Sequence, residues 1–432
     1  MNWARLGWTI LPIVYGIIAF TLSVVQPLGA VPDEVAHVRY IRFLAEERRL
    51  PLYVPRGGGE AGHQAQQPPL YYTVMALVYC AAAGLQERWR WQILRWATIL
   101  LVGYPLLAVS ALMMRRLWPR DPTLALASTP TLMLMPLTIL YTGHVNPDGL
   151  ALLLVTAAVF LSIETAVGKP AWGRAAVLGA VLGGACLTKM SAFAALLLAG
   201  YGYLVAARRM GARAWAAPVA LTAGGCVAVA AWWYARNLWF YGTPFIHTTP
   251  LPGSALENAL RPGGSFSFYA WLGIRETYLS TWAQRGWFPA GIAEWVLYGV
   301  IVAYTLGAVG GWLRRPAPSA DEASGADSRQ EVAARMLALL LGAIVVAQQS
   351  AYWFADVGWN AGGRYVMVAM SSVAFLGVAG LCRLLPRRAL CVALSLWLIS
   401  LVAMNLLSAW NIVTVLNPRY FPGWQIFHLP PG

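Results

Sequence analysis

Apolar residues run through this chain in long blocks separated by short polar turns, a pattern that predicts membrane-crossing helices before any other feature is weighed. A crossing takes about 20 mainly apolar residues. Candidate spans fall near 8–29, 93–114, 122–141, 149–167, 174–188, 190–207, 215–235, 291–313, 333–354, 365–382 and 389–408. The fold class is therefore all-α, a polytopic transmembrane helix bundle of about 11 spans forming a single integral membrane domain over 1–432. The segment 68–84 is apolar as well, yet the tryptophans beside it, Trp89, Trp91 and Trp96, suit an interface.

Between the spans, polar patterning separates three longer connections. The first, 30–92, holds two surface helices. Residues 34–49 place Val35, Val38, Ile41 and Ala45 at helical spacing among Arg39, Arg42, Glu46 and Arg49, so this helix is amphipathic. Gly57-Gly58-Gly59 reads as a flexible linker without the strand-to-helix setting of a nucleotide loop, and a second helix opens at Pro68-Pro69. The second connection, 236–290, is rich in aromatic residues, Pro and Gly. The third, 314–332, is rich in Pro, Ser, Ala and acids and is expected to be disordered.

Composition confirms the solvent. The chain is 59% hydrophobic and 11% charged, outside the range of soluble domains. Its net charge of +14 then reflects arginines retained in cytoplasmic loops rather than nucleic-acid binding, since no basic stretch carries interleaved stacking residues. With the amino terminus inside, its first apolar run uncleaved, and 68–84 kept on the outer surface, the basic turns at 115–116, 169–174, 208–213, 314–315 and 383–388 all face the cytoplasm. If 68–84 crossed, all of them would face out. The five cysteines are scattered through apolar stretches and read as small hydrophobes.

This orientation puts eleven of the 17 acids and all five histidines outside, so chemistry belongs to that face. Pro32-Asp33-Glu34 sets two carboxylates at the end of the first span, where acids are costly unless they pair, bind a cation or handle protons. Asp33 could instead cap the following helix. Asp148, in His144-Val145-Asn146-Pro147-Asp148, opens another helix at the same face, again with capping as the alternative. Only Lys169 and Lys189 among the 31 basic residues are lysines, and Lys189 lies where two apolar spans meet, a place suited to a phosphate or carboxylate partner. Arg236 and Arg364 lie at outer helix ends and could hold phosphate, or pair locally, Arg364 with Asp356 for example. His37, His63 and His144 stand near these acids in sequence and could complete a divalent-metal site.

Taken together, these residues resemble the C-type (GT-C) membrane glycosyltransferases that take sugars from polyprenyl phosphates, including protein O-mannosyltransferases and lipid A aminoarabinose transferases. The resemblance rests on Pro32-Asp33-Glu34 after the first span, Gln67-Pro68-Pro69-Leu70-Tyr71-Tyr72, Asp148 and Thr188-Lys189, and covers residues 1–245. Arg236-Asn237, Tyr241-Gly242-Thr243-Pro244 and Gly363-Arg364-Tyr365 extend it more weakly. Aminoarabinose transferases carry an acid and a Lys where this chain has Gln66 and Gln67, so a metal ligand and a phosphate contact lack counterparts there.

The resemblance implies an inverting transfer of a hexose or pentose from a polyprenyl-phosphate donor to a hydroxyl acceptor on a glycan, lipid or protein. Asp33, with Glu34, is then the catalytic carboxylate; Lys189, Arg236 and Arg364 bind donor phosphate; Asp148 and His144 orient the acceptor; and Asp148 and His63 could hold a divalent cation. The expected setting is the plasma (inner) membrane, with the site on the periplasmic or extracellular side. The alternatives are a transporter or flippase of lipid-linked sugars and a non-catalytic envelope-assembly protein. Transporters tend to place polar groups at mid-membrane in repeated halves, and no internal repeat is visible here.

Overall fold

The computed structural model describes residues 3–54, 59–246, 254–283, 286–314, 325–354 and 362–421, and among them every regular element is a helix. Among the described residues nine helices are long and apolar enough to cross a membrane, ten if the pair Pro122–Met133 and Pro136–Gly143, bent by 60°, forms one span. Each of the eleven predicted spans falls on a helix, but two differ from expectation. The span at 122–141 is broken where Pro136 cannot supply the backbone donor that would continue the first helix. That at 174–188 becomes the 15-residue helix Trp172–Cys186, shorter than a full crossing. The apolar helix at 68–84 is also short, Leu70–Ala81, in keeping with an interfacial position.

Side chains on the long helices show which solvent they meet. Ile17, Leu197, Leu306 and Ile399 are each more than 60% exposed, an arrangement that is stable where the surrounding medium is lipid. The protein is a multi-pass membrane protein.

The chain contacts divide into two compact units, whereas the sequence reads as one membrane domain. One unit comprises Leu22–Pro105, Tyr141–Pro252 and Asn417–Gly432 and contains both surface helices. Within it the helices Trp172–Cys186 and Ala216–Tyr241 pack backbone to backbone: a Cβ added at Gly179 would stand 2.6 Å from the Thr222 carbonyl oxygen, and one at Gly183 would stand 2.6 Å from Val229 Cβ. The other unit comprises Met1–Thr21, Leu106–Leu140 and Gly253–Leu416. Its helices Ile292–Leu313 and Met370–Leu384 meet in the same manner, Gly311 against Gly380. The helix Gly325–Phe354 takes in the end of the connection predicted to be disordered, whose residues 315–324 lie outside the described residues.

Candidate active site

The first surface helix, Glu34–Glu47, starts from a strained residue. Asp33 has φ 65° and ψ 0°, the left-handed region, and only Arg48 among the other described non-glycine residues shares a positive φ. Such a backbone costs about 1–3 kcal/mol, although Asp tolerates it better than most residues. The Glu34 N–H donates to the Val31 carbonyl at 3.1 Å and the His37 N–H to the Asp33 carbonyl at 2.9 Å, so main-chain bonds start the helix. The Asp33 side chain makes no capping hydrogen bond, which removes the capping alternative. Its Oδ1 lies 3.5 Å from His63 Nε2. Together with Arg39, the two residues line a cavity of about 230 Å³.

Glu34 also borders this cavity, but its carboxylate is engaged within the protein. It is fully buried, and the equally buried Arg95 donates from Nε to Oε1 at 2.8 Å and from Nη2 to Oε2 at 2.6 Å. The main-chain N–H groups of Gly29 and Val145 donate to the same carboxylate at 2.9 and 3.3 Å. Burial alone would raise the Glu34 carboxyl, but Arg95, with a smaller contribution from His144, holds it below the ordinary carboxylate value. The remaining donors of Arg95 reach the carbonyls of Ser23, Gln26 and Pro27 at 2.7–2.9 Å, so all five guanidinium N–H groups are used. The pair clamps the turn that presents Asp33. His144 is also buried and contributes to the charge balance of Glu34.

Behind Asp33, a second network ties the surface helices to the Asp148 helix. His37 Nδ1 stands 2.9 Å from the Tyr72 hydroxyl, and Asn146 Nδ2 stands 3.2 Å from His37 Nε2. Asn146 Oδ1 accepts from the Asp148 N–H at 2.8 Å, which fixes the amide orientation, and the Asn146 N–H donates to the Tyr71 hydroxyl at 3.0 Å. Asn146 thus fills the capping position at this helix, while Asp148 makes an ion pair with Lys189. Burial, the neighbouring Tyr40 and Tyr71, and then the carboxylates of Asp148 and Asp33 push the Tyr72 phenol well above its ordinary value.

Other expected roles are revised. Lys189 and Asp148, proposed separately for phosphate and for acceptor or metal, neutralise one another. Arg236 donates to the Pro51 carbonyl at 3.0 Å and lies over the rings of Trp233 and Phe240, holding the loop after the first surface helix. Arg364 belongs to the other unit, where it donates to the Tyr365 hydroxyl at 3.0 Å, and Asp356 lies outside the described residues. Among the described residues no group of three or more His, Cys, Asp or Glu side chains could hold a metal ion. Asp148 is paired with Lys189, and His63 stands beside Asp33.

Arg95 and Arg39 escaped sequence reasoning. Arg95 sits inside an apolar helix 61 residues from its carboxylate, and Arg39 resembles any solvated charge on an amphipathic helix.

No protein-family model and no curated protein matches this sequence. Solved structures do. The chain is similar to ArnT from Cupriavidus metallidurans bound to undecaprenyl phosphate, with a TM-score of 0.60 at 15% identity, covering 97% of this chain and 78% of that one. The apo state of the same ArnT gives a TM-score of 0.58 at 15% identity, covering 96% and 78%. The Archaeoglobus fulgidus oligosaccharyltransferase tethered with an acceptor peptide gives 0.50 at 12% identity, covering 96% of this chain and 55% of that one. At these identities the likeness is one of fold, and the fold of this chain is the GT-C fold of those membrane glycosyltransferases.

Proposed function

We propose that this protein is an inverting glycosyltransferase that moves a sugar from a polyprenyl-phosphate donor to a hydroxyl acceptor at the outer face of the plasma membrane. The observation that carries this reading is Asp33: its carboxylate lines a small polar cavity at a helix start, on a fold shared with a protein solved bound to undecaprenyl phosphate. Asp33 takes the proton of the acceptor hydroxyl as the oxygen attacks the anomeric carbon. The bond from that carbon to the phosphate oxygen breaks, and its electron pair leaves with the polyprenyl phosphate. A single displacement inverts the anomeric centre, and a cation beside the phosphate stabilises the charge that builds on it.

The test is transfer from labelled polyprenyl-phosphate sugars by the purified protein, with membrane extracts as acceptor source. Asp33→Asn is expected to fold and to lose about 100-fold or more in rate. Near-normal transfer by that variant would contradict the reading.

A further inference from the structure

We propose that Arg39, assisted by His63, binds the phosphate group of a lipid phosphate monoester in the cavity beside Asp33. The assignment rests on the glycosyltransferase reading and names the cation that reading requires. Of the residues expected to hold phosphate, Lys189 is paired with Asp148 and Arg236 is bonded to the Pro51 carbonyl. Arg39 is differently placed. The two arginines of the helix Glu34–Glu47 diverge: Arg42 is paired with Glu46 at 2.8 Å, whereas the Arg39 guanidinium has no hydrogen bond or ion pair among the described residues.

Several features show that the position is built. Side chains on a helix tilt toward its N-terminus, and Arg39 accordingly reaches back to line the cavity with Asp33. The turn from the second half of the loop is shaped around it: Gly62 has φ +74°, and a Cβ there would stand 3.3 Å from Arg39 Nη1. The positive φ favours glycine there, and its bare backbone lies close against the guanidinium. Glu34, the other acid that lines the cavity, has its charge offset by Arg95 inside the protein. Of the charged residues that line the cavity, this pairing leaves Asp33, Arg39 and, when protonated, His63, which is 54% exposed.

A guanidinium with an open donor fork matches two phosphate oxygens at once. At about 230 Å³ the cavity has room for a phosphoryl group with some water, at roughly 30 Å³ per water molecule, and not for a long hydrocarbon chain. A lipid therefore engages it by its head alone.

The experiment measures binding of undecaprenyl phosphate to the full chain in lipid nanodiscs, with undecaprenol and inorganic phosphate as comparisons. Wild type is expected to bind undecaprenyl phosphate and not undecaprenol. Arg39→Gln should weaken binding about ten- to a hundredfold, as for loss of a charge-assisted contact, with Arg42→Gln unchanged and thermal unfolding temperatures alike. Arg39→Lys, which keeps the charge but not the two-point fork, should weaken binding less than Arg39→Gln does, so a poorly folding Arg39→Gln does not end the test. Wild-type affinity in Arg39→Gln or equal binding of undecaprenol overturns the Arg39 assignment alone. Inorganic phosphate binding as tightly as the lipid overturns the lipid source. A wild-type protein that binds no undecaprenyl phosphate overturns the transferase reading with it.

Discussion

Arg95 holds Glu34 in a two-point ion pair from which solvent is wholly excluded, and that pair positions the neighbouring Asp33 without sharing its chemistry. Adjacent acids in the sequence thus have separate fates. One is spent on rigidity and the other faces the cavity.

Removing either partner should therefore destabilise the protein severely. Glu34→Gln or Arg95→Met is expected to cost about 3–5 kcal/mol, because the remaining charge stays buried without its counterpart. Thermal unfolding in detergent checks this, and a shift no larger than that of a surface substitution would contradict it.

The same pair sets an acid limit. Glu34 has a folded pKa below its ordinary value of 4.5, so its contribution is fully present above that value and is lost as pH falls through the lowered one. Unfolding temperatures of wild type and Glu34→Gln should differ by a constant amount between about pH 6 and 8 and draw together as pH falls below the ordinary value of 4.5. Divergence on acidification would reverse the sign and refute the linkage.

Asp33 should show a conflict between stability and activity. At φ 65° glycine carries no steric penalty, so Asp33→Gly is expected to be as stable as wild type or up to about 1 kcal/mol more so, while transfer falls about 100-fold or more. Asp33→Val should lose both, since a β-branched residue fits the left-handed region poorly. A destabilised Asp33→Gly would mean that the carboxylate supports the fold.

Much of the helical layout was legible because transmembrane helices are written locally: each predicted span falls on a helix, and the proline at 136 marks the break between Pro122–Met133 and Pro136–Gly143. The short length of Trp172–Cys186 was less legible, because hydropathy reports apolar content and not where the chain turns back toward Lys189. The site was half legible. Asp33 and Asp148 stood out as acids at helix starts, but their partners lie far off in sequence, Lys189 at a separation of 41 residues from Asp148 and Arg95 at 61 from Glu34. Charge at a distance carries no local pattern, so Lys189 and Arg236 were open to a ligand role that their protein partners now occupy.

Orientation in the bilayer is open to direct test through exposed arginines. In a background without native cysteines, Arg261→Cys should react with an impermeant thiol reagent on intact cells and Arg213→Cys only after lysis, because the positive-inside rule assigns the basic turn 208–213 to the cytoplasm. The opposite pattern would place the Asp33 cavity inside the cell.

The ion pair between Asp148 and Lys189 yields the most discriminating measurement, since it separates a structural lysine from one that holds the donor. The Asp148 carboxylate is nearly buried and Lys189 is mostly covered. If Lys189 serves chiefly to neutralise Asp148, Lys189→Met alone leaves a buried carboxylate unpaired and should cost about 3 kcal/mol or more. The double variant Lys189→Met with Asp148→Asn removes both charges and should recover most of that loss, a coupling of at least about 1 kcal/mol in a double-mutant cycle. Undecaprenyl phosphate affinity in the double variant should then stay within about threefold of wild type, below the ten- to hundredfold loss that removal of a phosphate contact brings. A stable double variant that has lost binding would return Lys189 to the phosphate, and additive single-variant losses would show that the two side chains act independently.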